Sequence, residues 1–195
     1  MMKTTYNLTS DAWREDFFYV WGPQATTRQT FENRAADLWL RNGECAGGFD
    51  YISALSKNKY TVGAEASVLC RFYGTGAPLI VLTDDIISSA DGTPMYRLHF
   101  EVVVYKGGIN VWRIVPRPET PSWPVASTKL LAIKREIEDG AEHTLSVRVG
   151  RGKLDISLGN EHYSVECDEL PDIFHIGFTA CGGICEFGEF SIEEN

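Results

Sequence analysis

The run MYRLHFEVVVYKGGINVWRIV, Met95–Val115, constrains the fold more than any other stretch of the chain. Tyr96, Leu98, Phe100, Val102 and Val104 fall on one face of an extended arm. Arg97, His99, Glu101, Val103 and Tyr105 fall on the other, the period-2 alternation of a half-buried strand. A second arm follows Lys106-Gly107-Gly108, so the segment reads as a β-hairpin whose loop length sets which residues face each other.

Two registers compete. A two-residue Gly-Gly turn places Val102 opposite Arg113 and Glu101 opposite Ile114, mixing polar and apolar groups on both faces. A three-residue Lys-Gly-Gly loop places Val102 opposite Trp112 and Glu101 opposite Arg113. The second sorts Leu98, Phe100, Val102, Val104, Trp112 and Ile114 onto one face and Arg97, His99, Glu101 and Arg113 onto the other. A one-residue slip moves every side chain to the wrong face, so the three-residue loop is the expected register, with Trp112 in the core.

Strand-like runs continue on both sides. Tyr60–Phe72 alternates, and Ala77–Thr83 (APLIVLT) is an unbroken apolar run of the kind found in a strand covered on both faces. After the hairpin, Pro116–Pro124 cannot sit inside a sheet. His143–Val149, Lys153–Leu158, His162–Cys167, Phe174–Ala180 and Glu186–Ile192 then recur at strand spacing, with turns at Gly150-Arg151-Gly152 and Gly159-Asn160. Lys129–Glu138 would suit a helix by its charges, but its strand neighbours favour a strand. Asp37–Arg41 reads as a further short strand. Many short strands between turns predict an all-β sandwich or barrel. Residues 1–24, dense in aromatics, are expected to form an arm packed on that body, with a helical turn started at Ser10-Asp11.

A length of 195 residues fits one domain, residues 1–195, with a core of its own. The net charge of −9, with no Lys/Arg run, argues against nucleic acid and against an anionic membrane surface. The first residues hold no apolar segment of signal-peptide length, which makes the cytoplasm the expected location. Cys45, Cys70, Cys167, Cys181 and Cys185 form an odd set and are expected to be thiols, not a disulfide framework. Cys181-x3-Cys185 lacks the two further close ligands that a zinc site needs, so no metal or cofactor is expected.

The order of pieces resembles the concanavalin A-like lectin/glucanase superfamily, a two-sheet antiparallel jelly-roll sandwich. Within it the likeness is to bacterial laminin-G-like and 3-keto-disaccharide hydrolase-type domains. The residues that carry it are YRLHFEVVVYKGGINVWR, EHTLSVRVGRGKLDISLGN and the closing IFHIGFTACGGICEFGEFSI. It spans roughly residues 30–193 and is a pattern of strands, not a diagnostic motif. The resemblance implies a jelly roll with a concave sheet face and a carbohydrate-related role.

The glucanases of that superfamily carry E-x-D-x-E or E-x-D-x-x-E on a strand, one carboxylate attacking and the other protonating the leaving group. That spacing is absent here. Glu138-Asp139-Gly-Ala-Glu142 lies at a glycine turn, and Glu186-Phe-Gly-Glu189 lies near the C-terminal strand. The polar hairpin face is the better candidate for ligand binding, through Arg97, His99, Glu101 and Arg113. Glu101 opposite Arg113 is equally an ordinary cross-strand ion pair. Tyr105, with Trp123 or Trp39 at the rim, would supply the aromatic platform that a sugar ring needs. Trp123, between Pro121 and Pro124, could instead cap the core. Asp84, Asp85 and Asp91 could hold calcium or form a solvated turn.

Three readings stand. The first is a carbohydrate-binding jelly roll using the concave face. The second is a sugar-active hydrolase or lyase, with His99 and Glu101 as its acid–base pair. The third is an accessory or interaction subunit whose open sheet face meets a second copy or a partner.

Overall fold

Eighteen strands and one short 3-10 helix, Ala12–Asp16, make up the described structure. It is a computed structural model that describes residues 2–22, 28–34, 38–43, 50–88, 92–117 and 125–194. In chain order the strands are β1 (Met2–Asn7), β2 (Phe17–Trp21), β3 (Phe31–Arg34), β4 (Trp39–Asn42), β5 (Tyr51–Ser56) and β6 (Tyr60–Thr61). There follow β7 (Glu65–Tyr73), β8 (Ala77–Thr83), β9 (Ile86–Ser88), β10 (Pro94–Tyr96), β11 (His99–Tyr105) and β12 (Gly108–Pro116). The last six are β13 (Val125–Lys134), β14 (His143–Gly150), β15 (Lys153–Leu158), β16 (Glu161–Glu166), β17 (Ile173–Cys181) and β18 (Ile184–Glu194).

Two antiparallel sheets face each other. Sheet I runs β16-β15-β14-β7-β18-β4-β3, with β1 also on β18; sheet II runs β13-β12-β11-β8-β17-β5-β2, with β6 also on β17. Alternation decides which side of each strand is buried. On β7, Ala66, Val68, Cys70 and Phe72 are fully buried, while Ser67, Leu69 and Arg71 face outward and are partly exposed. The strand starts two residues after Gly63, where a φ of 104° breaks the run expected from Tyr60. On β8, Ile80 and Leu82 enter the main core and Leu79 and Val81 a second apolar cluster on the outer side of sheet II. The unbroken apolar run is thus covered on both faces, as its composition predicts.

The aromatic N-terminal segment contributes a strand to each sheet. β1 pairs with β18 and β2 with β5, and the 3-10 helix that follows Asp11 links them. Trp13 and Phe17 pack on Phe178, with ring centres 5.7 and 6.1 Å away.

The central hairpin is shorter and differently registered than its sequence suggests. A bend at Arg97-Leu98 separates β10 from β11, so Tyr96 does not extend the arm. The Leu98 carbonyl accepts from the Thr83 hydroxyl at 2.8 Å, and the Leu98 N–H donates to the Asp84 carboxylate at 3.3 Å. Beyond the bend, the turn is Lys106-Gly107, with Tyr105 opposite Gly108, Val102 opposite Val111 and Glu101 opposite Trp112. Neither sequence-derived register is correct. Gly108 is the first strand residue of β12, not a loop residue. Its φ is 137°, and a Cβ there would stand 1.8 Å from the Ile133 carbonyl oxygen on β13. The observed register puts Phe100, Val102, Val104, Ile109 and Val111 in the core, all fully buried. It turns Trp112 outward and sets Arg113 on the side of Phe100.

Candidate functional site

The outer face of sheet II carries the candidate site. Because side chains alternate, β11 presents His99, Glu101, Val103 and Tyr105 outward, and β12 presents Asn110, Trp112 and Ile114. Lys129 of the edge strand β13 stands opposite Trp112. Its ammonium lies 4.5 Å from the centre of the half-buried indole. Glu101, Trp112 and Lys129 therefore form a row across three neighbouring strands.

His99 and Glu101 support each other. His99 Nε2 lies 3.5 Å from Glu101 Oε1, with side-chain exposures of 5% and 15%. Glu101 is the more accessible member, and the imidazole is the more deeply buried one. The ring of Tyr96, 4.5 Å from that of His99, forms the wall beside the pair. The Tyr96 hydroxyl lies close to the Ser53–Thr179 hydroxyl pair, itself 2.7 Å apart, but makes no well-aligned hydrogen bond. His99 Nδ1 is likewise buried without a protein partner. Burial raises the Tyr96 phenol well above its ordinary range, so it stays neutral. Tyr51, stacked 6.3 Å from Tyr96, is raised by burial too.

The remaining candidates go elsewhere. Arg97 sits in the bend and pairs with Asp84 at 2.6 Å; that hydrogen bond holds its guanidinium above the ordinary value. Arg113 does not face Glu101 and instead pairs with Glu169 in the connection between β16 and β17. Tyr105 is on the expected face, at the hairpin end, where its ring underlies Gly107. Trp123 lies outside the described residues. Trp39 belongs to the other sheet, under the Arg71 guanidinium at 4.3 Å. Glu186, in the C-terminal pair of glutamates, is buried between Arg71 and Arg41 on that sheet.

The acidic loop behaves as a turn. Besides its pair with Arg97, Asp84 meets the Leu98 N–H, and Asp85 accepts the Ile86 N–H at 2.9 Å with Lys59 3.9 Å away. Asp91 lies outside the described residues. Among the described residues no group of His, Cys, Asp or Glu is arranged to hold a metal. Cys70, Cys167, Cys181 and Cys185 are joined in no disulfide, and Cys45 lies outside the described residues. Burial pushes the Cys70 thiol up to about 12 and Cys167 up to about 11.

A concavity of about 500 Å³ opens on the outer face of sheet I along β14, β15 and β16. Its polar groups mostly bond one another. Arg148 pairs with Glu65 at 2.7 Å, and Ser164 donates to Asp155 at 2.8 Å. This is largely a ladder of cross-strand pairs, with Ser146 also donating to Ser67 at 2.9 Å.

The same sandwich recurs in solved structures across nearly the full length of the chain. The family 16 glycoside hydrolase endo-glucanase from Bacteroides ovatus superposes with a TM-score of 0.62 at 9% identity, over 97% of this chain and 99% of the other. The fold is the concanavalin A-like jelly roll. A carbohydrate-binding module of the CBM66 type from Bacillus subtilis shares the jelly roll with a TM-score of 0.60 at 12% identity, over 89% and 92% of the two chains. The exoplasmic/lumenal domain of VIP36, in a Ca2+- and mannose-bound form, shares it at 0.53 and 13% identity, over 92% and 83%. No family model matches the sequence, and no curated protein matches it. Identities this low carry the jelly roll alone, and one fold hosts many functions.

Proposed function

We propose that this jelly roll is a carbohydrate-binding protein whose site is the row Glu101, Trp112 and Lys129, with Asn110 beside it. The observation that carries the reading is the direct pairing of Glu101 with Trp112 on the outer face of a sheet. A sugar needs an aromatic surface for the apolar face of its ring and planar acceptors and donors for its hydroxyls. Glu101 accepts, and Asn110 both donates and accepts. Trp112 offers the platform, held on rigid strands instead of a loop. The Lys129 ammonium over the indole is no obstacle. An exposed cation–π contact is worth about 0.5–1 kcal/mol, so a stacking ring displaces it at small cost. The jelly-roll neighbours support this class of ligand, since they include a carbohydrate-binding module, a mannose-bound domain and a glucanase.

Binding is favoured over catalysis. Two groups that cleave a glycosidic bond flank it, about 5–5.5 Å apart in retaining enzymes and further apart in inverting ones. His99 and Glu101 instead face each other at 3.5 Å and act as one unit. Cytoplasmic residence is part of this proposal, supported by the buried thiols. The test is a glycan array probed with the protein and with Trp112→Ala and Glu101→Gln. Binding of a defined set of sugars, lost by about tenfold or more in both variants, is the expected result. No binding by the unaltered protein, or binding untouched in both variants, overturns the reading.

A further inference from the structure

Half of the outer face of sheet II is closed. β9 and β10 pair into a two-stranded ribbon that lies over it, Tyr96 opposite Ile86. Tyr96 packs there with Val20 of β2, Leu55 of β5 and Leu79 and Val81 of β8, each no more than 3% exposed. Ile86 of β9 packs against the same cluster, so burial of apolar surface holds the ribbon on the sheet as part of the fold. Its boundary is the contact of Tyr96 with His99. Beyond that boundary, among the described residues, Asn110, Trp112 and Ile114 of β12 are partly exposed, Lys129 of β13 is exposed and Glu101 of β11 keeps 15% exposure, a strip about 10 Å from first strand to third at the ~4.8 Å strand spacing.

The direction of the site follows from register. Glu101, Trp112 and Lys129 lie in line across the strands, not along one strand. A ligand that uses all three runs across the sheet. On one side it meets the Tyr96 wall. On the other it passes over β13, which is an edge strand with no neighbour beyond it among the described residues.

We propose that the face recognises the end of a glycan chain: the terminal unit abuts the Tyr96 ribbon, and the rest of the chain leaves over β13. This inference rests on the carbohydrate-binding reading and adds the mode of recognition to it. A chain bound through its interior would have to cross β8, where Leu79 and Val81 are sealed under the ribbon. A strip of this width takes a short terminal segment, so units added beyond it gain no further contact.

The experiment is an array of linear gluco-, galacto-, manno- and fructo-oligosaccharides of one to six units, printed in both orientations. Cyclic oligosaccharides of the same sugars, which have no ends, are printed beside them. The expected result is binding in one orientation only, strength that levels off after two or three units, and cyclic forms at least about tenfold weaker. Cyclic and linear forms bound alike, or strength rising steadily to six units, overturns the chain-end inference while leaving carbohydrate binding in place. No binding to any member overturns the carbohydrate reading, and this inference falls with it.

Discussion

Glu101 on β11 faces Trp112 on β12 directly, so the carboxylate and the indole share the outer face of sheet II. One turn residue decides this. Had Gly108 joined the loop, Trp112 would have moved into the core and taken the aromatic platform with it.

That register ranks two substitutions. Phe100→Ala, at a fully buried position, should cost about 3–5 kcal/mol through lost transfer energy and the cavity left behind. Trp112→Ala, at a half-buried outer position, should cost about 1 kcal/mol. Urea denaturation of both variants checks the order, and the reverse order would place Trp112 in the core after all.

Gly108→Ala should be among the most damaging single-methyl changes in the chain. The residue combines a φ of 137° with a carbonyl oxygen 1.8 Å from where the Cβ would stand. Backbone strain alone is worth about 1–3 kcal/mol, and the clash with β13 adds to it. Gly43→Ala, where nothing among the described residues lies within 4 Å and φ is not left-handed, is the control. Equal melting temperatures for the two variants would refute the close approach of β12 and β13.

The hairpin shows what could and could not be read from the sequence. Alternation in β7, β14 and β15 fixes their buried faces, because the period of two is local. The continuous apolar run of β8 likewise announces a strand covered twice. Register is not local in the same way. Lys106, Gly107 and Gly108 allow more than one turn, and the deciding contact, the Ile133 carbonyl against Gly108, comes from a strand 25 residues away. The same holds for β1 and β2, whose partners β18 and β5 are remote. The Arg97–Asp84 pair and the ribbon that carries Tyr96 depend on a bend that simple alternation runs straight through. Within the site, His99 and Glu101 were readable as one face. Trp112 was assigned to the core because the expected three-residue loop set it opposite Val102, where the observed register sets Val111.

Stability should fall on mild acidification through His175. Burial lowers this imidazole from its ordinary value of 6.5, and its Nδ1 lies 2.8 Å from the Ser56 carbonyl. The unfolded chain therefore binds the proton at higher pH than the folded one. The contribution is fully present above about pH 6.5 and is lost as pH falls toward the lowered native value. Denaturation midpoints at pH 7.5 and 5.5 should differ less in His175→Gln than in the parent. An unchanged difference would show that another group carries the effect.

All five cysteines should react with a thiol reagent after denaturation without reductant. In the folded protein Cys70 and Cys185 should be protected, being fully buried with thiols pushed well above the ordinary range. A titration that falls short of five after denaturation would contradict the expected set of thiols.

The position of a bound sugar tests the Glu101 row most sharply, mapped by amide and indole chemical shifts while a glycan selected on the array is titrated in. The largest changes should fall on Glu101, Asn110, the Trp112 indole N–H and Lys129. Changes that instead gather on Ser146, Arg148, Asp155 and His162, around the concavity of sheet I, would contradict that placement.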